Sequence, residues 1–119
     1  MTEALYEAET FEAFWLEYQR AHADPTTRRW HAVATITAGT LLAAGAITRS
    51  PLLLLAAPLA DYAIAQTSHR AVEGNRTQPW RRPHWHARAE LRLCRQTLGE
   101  ITRRRAAGSR RCAPCSSPA

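Results

Sequence analysis

Two apolar segments separated by a short break constrain this chain more than any other feature. From Trp30 to Thr48 there is no Asp, Glu, Lys or Arg over roughly 19 residues, close to the ~20 that a helix needs to cross a bilayer. An Arg-Ser-Pro break at residues 49–51 interrupts the run, and a second apolar segment then continues to His69. The pattern predicts a helical hairpin, which suits either a membrane or the core of a soluble bundle.

The residues within the hairpin agree with both settings. Gly39, Ala43 and Gly45 are small and allow close helix packing in lipid or in water. Asp61 argues against exposure to lipid at its own position, because an ionised carboxylate there must face protein or water. We expect a membrane protein and keep the soluble bundle as the alternative.

Arginines are concentrated at the outer ends of the hairpin. All 16 basic residues are Arg, against 10 acidic residues, and the net charge is +6. The tip carries Arg49 alone, whereas the outer ends carry seven: Arg20, Arg28, Arg29, Arg70, Arg76, Arg81 and Arg82. The positive-inside rule therefore places both termini in the cytoplasm. Together with an Arg-only, Ala-rich composition typical of a GC-rich bacterial genome, this predicts an integral protein of the bacterial inner membrane.

The N-terminal segment predicts an amphipathic helix from about Ala4 to Ala23. Its aromatic residues recur at helical spacing, and the same stripe reaches His22 four residues after Tyr18. Asp24 followed by Pro25 predicts the start of the next helix, because Asp caps free N–H groups and Pro is tolerated in the first turn.

The C-terminal part predicts a loop followed by a basic helix. Gly, Asn and Pro mark residues 74–83 as a loop. A basic helix is expected from His84 to about Arg105, with an apolar face made of Trp85, Ala89, Leu91, Cys94, Leu98 and Ile101. The predicted fold is all-α, a small membrane-embedded bundle formed by residues 1–105. Residues 106–119 are expected to be a disordered tail, and its Cys112 and Cys115 lack the further ligands that a zinc site needs.

The expected topology brings three histidines together. His22 ends the first helix, His31 begins the second and His69 ends the third, so a hairpin places all three at one level. Glu73 follows His69 by four residues and would share its helix face. Three imidazoles and a carboxylate suit Fe(II), Zn(II) or Mn(II). The alternative is that these residues only cap helices and anchor them at an interface.

Other polar residues are weaker candidates. His84 and His86 flank Trp85 two residues apart, so on a helix they point in different directions, and we expect interfacial or supporting roles. Arg76, and less readily Arg28 or Arg29, could hold a substrate carboxylate through its planar guanidinium.

Two functions other than catalysis fit the basic charge. An Arg-rich last helix could dock on anionic lipid head groups, which would make this a non-enzymatic lipid-binding protein. A nucleic-acid binder would rest only on the basic region 81–111, which has no recognisable reading motif, so we expect no nucleic-acid partner.

Two blocks of the sequence resemble a small membrane family, long catalogued as a domain of unknown function. They are YQRAHADPTTRRWHAVAT, residues 18–35, and HRAVEGNRTQPWRRPHW, residues 69–85. The fungal member of the family is a 2-hydroxy fatty acid dioxygenase in phytosphingosine breakdown. This chain departs from the family pattern at Ala21, Thr27, Arg70 and Thr77.

The resemblance implies a specific activity. His22, His31 and His69 would be ligands of Fe(II) or essential to the iron site, with Glu73 and the Asn75-Arg76 pair close by. Glu73 and Arg76 are the expected catalytic residues. The substrates would be O2 and a 2-hydroxy fatty acid drawn from membrane lipid, and the acid would be shortened by one carbon. Because a metal needs neutral imidazoles, the activity is expected to fall as the pH drops through the histidine range.

Overall fold

The computed structural model describes residues 3–111, and every regular element within them is helical. The α-helices are α1 (Ala4–Glu7), α2 (Phe11–Ala21), α3 (Pro25–Thr48), α4 (Pro51–Ser68) and α5 (Pro83–Arg111). A π-helical turn at His69–Glu73 and a 3-10 turn at Pro79–Arg81 connect α4 to α5. The predicted all-α class is confirmed.

The N-terminal segment forms two helices where the sequence pattern predicted one. Ala8 ends α1, and Thr10 adopts an extended conformation with φ −124° and ψ 155°. The Thr10 hydroxyl accepts a hydrogen bond from the Ala13 N–H at 3.2 Å. Threonine thus acts as an N-cap that starts α2, a local alternative that the periodicity of the aromatic residues does not reveal.

The hairpin begins and turns where its sequence signals predicted. The Asp24 carboxylate accepts from the Thr26 N–H at 2.7 Å and caps α3. Arg49 ends α3 in the left-handed conformation with φ 53°, and the Ser50 N–H donates to the Gly45 carbonyl at 2.9 Å. This is a typical helix C-terminus, made here without glycine.

The buried core lies beside the hairpin. It consists of Leu5, Tyr6, Ala8, Phe14, Trp15, Tyr18, Ala89 and Leu93, which belong to the N-terminal segment and to α5. Apolar side chains of the hairpin are largely exposed, including Ile47 at 84% and Leu52 at 73%. The large apolar side chains of the hairpin therefore lie mostly outside this cluster, although the small Ala32, Ala34, Ala57 and Ala65 are buried.

Of the helices within residues 3–111, α3 alone is long and apolar enough to cross a membrane by length and composition. Only 22% of the most apolar 18-residue stretch of α3 is buried by the rest of the chain. A hairpin in which α4 also crosses stays a prediction.

Helix α5 extends further than the sequence pattern indicated. It begins at Pro83 and continues to Arg111, so residues 106–111, predicted to belong to a disordered tail, are helical. The buried face of α5 is His86, Ala89, Leu93, Cys94 and Thr97, whereas Leu91 and Leu98 are exposed. The predicted apolar face was therefore partly wrong. Cys112 and Cys115 lie outside the described residues.

Gly45 allows a close approach of α3 and α4, and it carries a testable prediction. A Cβ built on Gly45 would lie 3.0 Å from the backbone nitrogen of Leu54. We expect Gly45→Val to lower the free energy of unfolding by ~1–3 kcal/mol, because the backbone of α4 must move. Chemical denaturation in detergent measures this. The control is Gly99→Ala, where a Cβ meets nothing within 4 Å and stability should rise slightly.

Candidate metal centre

Three imidazoles from three elements meet at one point. His22 caps the end of α2, His31 lies in the second turn of α3, and His69 opens the π-helical turn. The Nε2 atom of His31 lies 3.2 Å from that of His22 and 3.0 Å from that of His69. The structure thus brings together the three histidines that the topology predicted, and their candidate ligand atoms all lie within 4.8 Å of one another.

The outer nitrogen of each ring faces an acceptor oxygen. His22 Nδ1 lies 2.6 Å from the carbonyl oxygen of Tyr18, and His31 Nδ1 lies 2.6 Å from Oε1 of Glu90. His69 Nδ1 lies 2.7 Å from Oδ1 of Asn75. In a neutral imidazole one nitrogen carries the proton, so each ring places its N–H on this outer side. The three Nε2 lone pairs then face one another.

This arrangement fits a divalent metal. Lone pairs that point at one another repel unless a proton or a cation lies between them, and a divalent metal at this point would remove that repulsion. With bonds of ~2.0–2.1 Å, adjacent nitrogens lie about 2.8–3.0 Å apart on an octahedral metal and about 3.3–3.4 Å apart on a tetrahedral one. The separations of 3.2 and 3.0 Å from His31 Nε2 to the other two Nε2 atoms fall within this span. Imidazole nitrogen suits Fe(II) and Zn(II) alike.

Burial keeps the rings in the form that binds metal. His22 and His69 are fully buried and His31 is 2% exposed. Burial, helped by the neighbouring imidazoles, lowers the pKa of His22 well below its ordinary value and that of His69 to about 4. The two rings are therefore neutral at pH 7.

Glu90 is the main residue of the site that the sequence did not predict. Its carboxylate accepts from His31 Nδ1, from the Tyr18 hydroxyl at 2.9 Å and from the Thr35 hydroxyl at 3.4 Å. Burial would raise the pKa of Glu90, but the hydrogen bonds from His31 and Tyr18 outweigh it and hold the pKa below its usual value. Glu90 lies on α5 one helical turn after the buried His86 and directly after the buried Ala89.

Glu73 and Arg76 lie apart from the three imidazoles. The turn at His69–Glu73 is π-helical, so the α-helical spacing that put Glu73 on the same face as His69 does not apply. Its carboxylate instead accepts from the backbone N–H of Asp24 at 2.9 Å. Arg76 is exposed, and within residues 3–111 it forms no ion pair. Their catalytic roles remain predictions.

Hydrogen bonds at Asn75 and at Thr77 hold the connection that follows the π-helical turn. Gly74 adopts φ 67°, a conformation open to glycine, and the Asn75 N–H donates to the His69 carbonyl at 3.2 Å. Further along, Gln66 donates to the Thr77 carbonyl at 2.6 Å and accepts from its N–H at 3.3 Å. These contacts hold Asn75 next to His69, where its side-chain oxygen accepts from the His69 ring.

A cleft of about 570 Å³ opens from this centre along the hairpin. Its polar end includes His22, His31 and Glu90, and its far end includes Leu42 and Pro58. The walls between them are mostly apolar, with the Asp61 carboxylate among the lining residues. Such a cleft has the size and character of small-molecule sites and can take a long apolar chain with its polar end at the histidines.

The two remaining histidines differ in their surroundings. His84 is exposed, whereas His86 is 7% exposed and lines the cleft. Burial lowers the pKa of His86 to about 4. The expectation that the two point in different directions is confirmed, and His86 is closer to the site than the sequence indicated.

The buried histidines predict how the metal-free protein responds to acid. The pKa values of His22, His69 and His86 lie below those of histidines in the unfolded chain. As the pH falls below about 6.5 the unfolded state therefore takes up protons that the folded state does not, and stability falls. For His69 alone, a shift from 6.5 to about 4 corresponds to ~3 kcal/mol once the pH is below both values. Urea denaturation with a chelator at pH 7.5, 6 and 5 tests this. A constant free energy of unfolding across that range would contradict it.

Comparison with known families gives one match. A family model described as 2-hydroxy-palmitic acid dioxygenase Mpo1-like matches residues 8–101, which include all three histidines and Glu90. Comparisons with curated proteins and with solved structures give no significant match.

Proposed function

The chain belongs to the 2-hydroxy-palmitic acid dioxygenase Mpo1-like family, and from this premise we propose that it is an Fe(II)-dependent dioxygenase of 2-hydroxy fatty acids. His22, His31 and His69 would hold the iron. The acid would lose one carbon, with O2 as the second substrate. The convergence of three Nε2 lone pairs at the head of an apolar cleft is the observation that carries this proposal.

Three protein ligands leave positions open, so Fe(II) bound here would supply a centre at which O2 and the substrate's oxygens can meet. The chain's own residues prepare that centre. Glu90, Asn75 and the Tyr18 carbonyl orient the three rings through their Nδ1 atoms. Orientation by such hydrogen bonds fixes the tautomer and raises the basicity of the ligand.

The cleft would bind the acyl chain and exclude water from it. Ala38, Gly39 and Leu42 lie on the α3 wall, and Pro58 and Ala65 lie on the α4 wall. Burying each methylene of the substrate contributes ~0.8 kcal/mol, so a long chain binds better than a short one. Glu73 would act indirectly, since it ties the start of α3 to the end of the π-helical turn.

The hairpin is the part of the chain that we propose to lie in the membrane. Leu52, Leu55 and Leu59 are exposed on α4, and Val33, Ile36 and Ile47 are exposed on α3. Trp30 and Trp80 are also exposed, near the level of the three histidines, where an interfacial aromatic belt would lie. The proposed location is the bacterial inner membrane with both termini cytoplasmic, which gives the cleft access to acids dissolved in lipid.

Oxygen consumption tests the proposed activity directly. The full chain would be purified anaerobically in detergent, loaded with Fe(II) and given 2-hydroxypalmitic acid in an oxygen electrode. We expect uptake of O2 and a product one carbon shorter, with palmitic acid, which lacks the 2-hydroxyl group, as the inert control. No uptake with iron bound would reject the substrate class. Failure to retain any metal, together with salt-sensitive binding to anionic vesicles, would instead favour a lipid-binding protein.

A further inference from the structure

His86 is a buried polar residue whose presence the fold does not explain. Its ring packs against Phe14, Tyr18 and Tyr6, with ring centroids 5.2, 5.8 and 6.0 Å away. The Nε2 atom is buried and has no hydrogen-bond partner among residues 3–111. Buried polar atoms are nearly always paired, because leaving one unpaired weakens the fold. An apolar ring would fill the same space without that penalty.

The position of His86 in the cleft indicates a role in binding a ligand. It lines the same cleft as His22, His31 and Glu90, one helical turn before Glu90 on α5. The hydroxyl groups of Tyr18 and Thr35 also line the cleft near this end, but both already donate to Glu90. No arginine is among the described residues that line the cleft. Neither ring nitrogen of His86 has a hydrogen-bond partner among residues 3–111, so this buried cleft residue remains uncommitted.

We propose that His86 binds the carboxylate of the substrate by donating the N–H of Nδ1, the ring nitrogen that its neighbours leave accessible, to one of the carboxylate oxygens. This inference rests on the proposed function and deepens it by naming the residue that recognises the acid group. It assigns to His86 the role that the sequence suggested for Arg76, which is exposed and does not line the cleft. A hydrogen bond to a charged acceptor typically contributes ~10-fold to ~100-fold in affinity.

Selectivity between two ligands tests the proposal without relying on turnover. Calorimetric binding of 2-hydroxypalmitic acid and of hexadecane-1,2-diol would be measured on the full-length, metal-loaded protein under nitrogen. The diol keeps the chain and the 2-hydroxyl group but has no carboxylate. We expect His86→Phe to reduce the preference for the acid over the diol by ~10-fold or more. Metal content and diol binding should stay unchanged, and thermal stability without ligand should stay the same or rise.

His84→Phe is the matched control, because it makes the same change at an exposed histidine two residues away. His86→Gln, which keeps an N–H donor at similar reach, should retain much of the preference. If His86→Phe does not fold, His86→Leu compared with His86→Gln gives the same contrast. The proposal is overturned if His86→Phe leaves the preference for the acid over the diol unchanged. It is also overturned if His86→Phe weakens the binding of both ligands equally and lowers stability. Wild-type protein that binds neither ligand overturns the proposed function as well.

Discussion

Replacing His31 with alanine is expected to abolish metal binding and oxygen uptake. His31 is the central member of the three histidines, since its Nε2 lies within 3.2 Å of both others and its Nδ1 bonds to Glu90. Structural zinc sites with four ligands bind with about 10–16 kcal/mol, so one ligand is worth roughly 3–4 kcal/mol, or a few hundred-fold in affinity. Metal analysis after gel filtration and oxygen uptake on 2-hydroxypalmitic acid would measure both losses.

Controls separate loss of a ligand from loss of the fold. Removing His31 leaves the buried Glu90 carboxylate with one donor fewer, which by itself lowers stability. His69→Ala avoids this, because the partner it loses, Asn75, is neutral. Both variants should therefore lose metal, and His31→Ala should also melt lower. His84→Ala, at the exposed histidine of α5, should keep both metal and stability. Full metal content in His31→Ala would show that the three histidines do not form the site.

Local chemistry explains which parts of the fold the sequence could predict. The Asp24-Pro25 start of α3 and the break at residues 49–51 depend on capping and on backbone preferences within a few residues, and the structure has both. The approach of His22, His31 and His69 followed from topology alone, because an antiparallel hairpin returns the chain to its starting level. These inferences needed no knowledge of side-chain packing.

The parts that the sequence did not predict depend on longer-range or irregular structure. Glu90 is 59 residues from His31, and nothing in the local pattern pairs the two. The π-helical turn at His69–Glu73 shifts every later side chain relative to an α-helix, which moves Glu73 from the site to the start of α3. The Thr10 hydroxyl caps the start of α2, so the N-terminal segment forms two helices instead of one. None of these features has a signature in the periodicity of the apolar residues.

Glu90→Gln is expected to lower metal affinity or activity by ~10-fold to ~100-fold while the fold persists. Partners that orient a metal-binding histidine typically contribute this much. Glutamine is close to glutamate in shape, and its amide oxygen still accepts one hydrogen bond, but the negative charge beside His31 is lost. Glu90→Leu should lose metal to a similar extent. It should also lower the free energy of unfolding by ~1–3 kcal/mol, because the Tyr18 hydroxyl, on a residue 1% exposed, is left without its acceptor.

Glu100→Gln provides the matched control, since Glu100 is the other acidic residue of α5 and its side chain is 45% exposed at 4.0 Å from Arg28. A double-mutant cycle with His31→Ala then shows whether Glu90 acts through that ring. If it does, adding Glu90→Gln to His31→Ala lowers metal affinity no further, because the ring that the carboxylate orients is already absent. The affinity is measured by metal titration at concentrations high enough to load the weakened His31→Ala protein. Independent effects of the two substitutions would mean that Glu90 acts on the metal or the substrate by another route. Its three hydrogen bonds in the cleft would then need a different explanation.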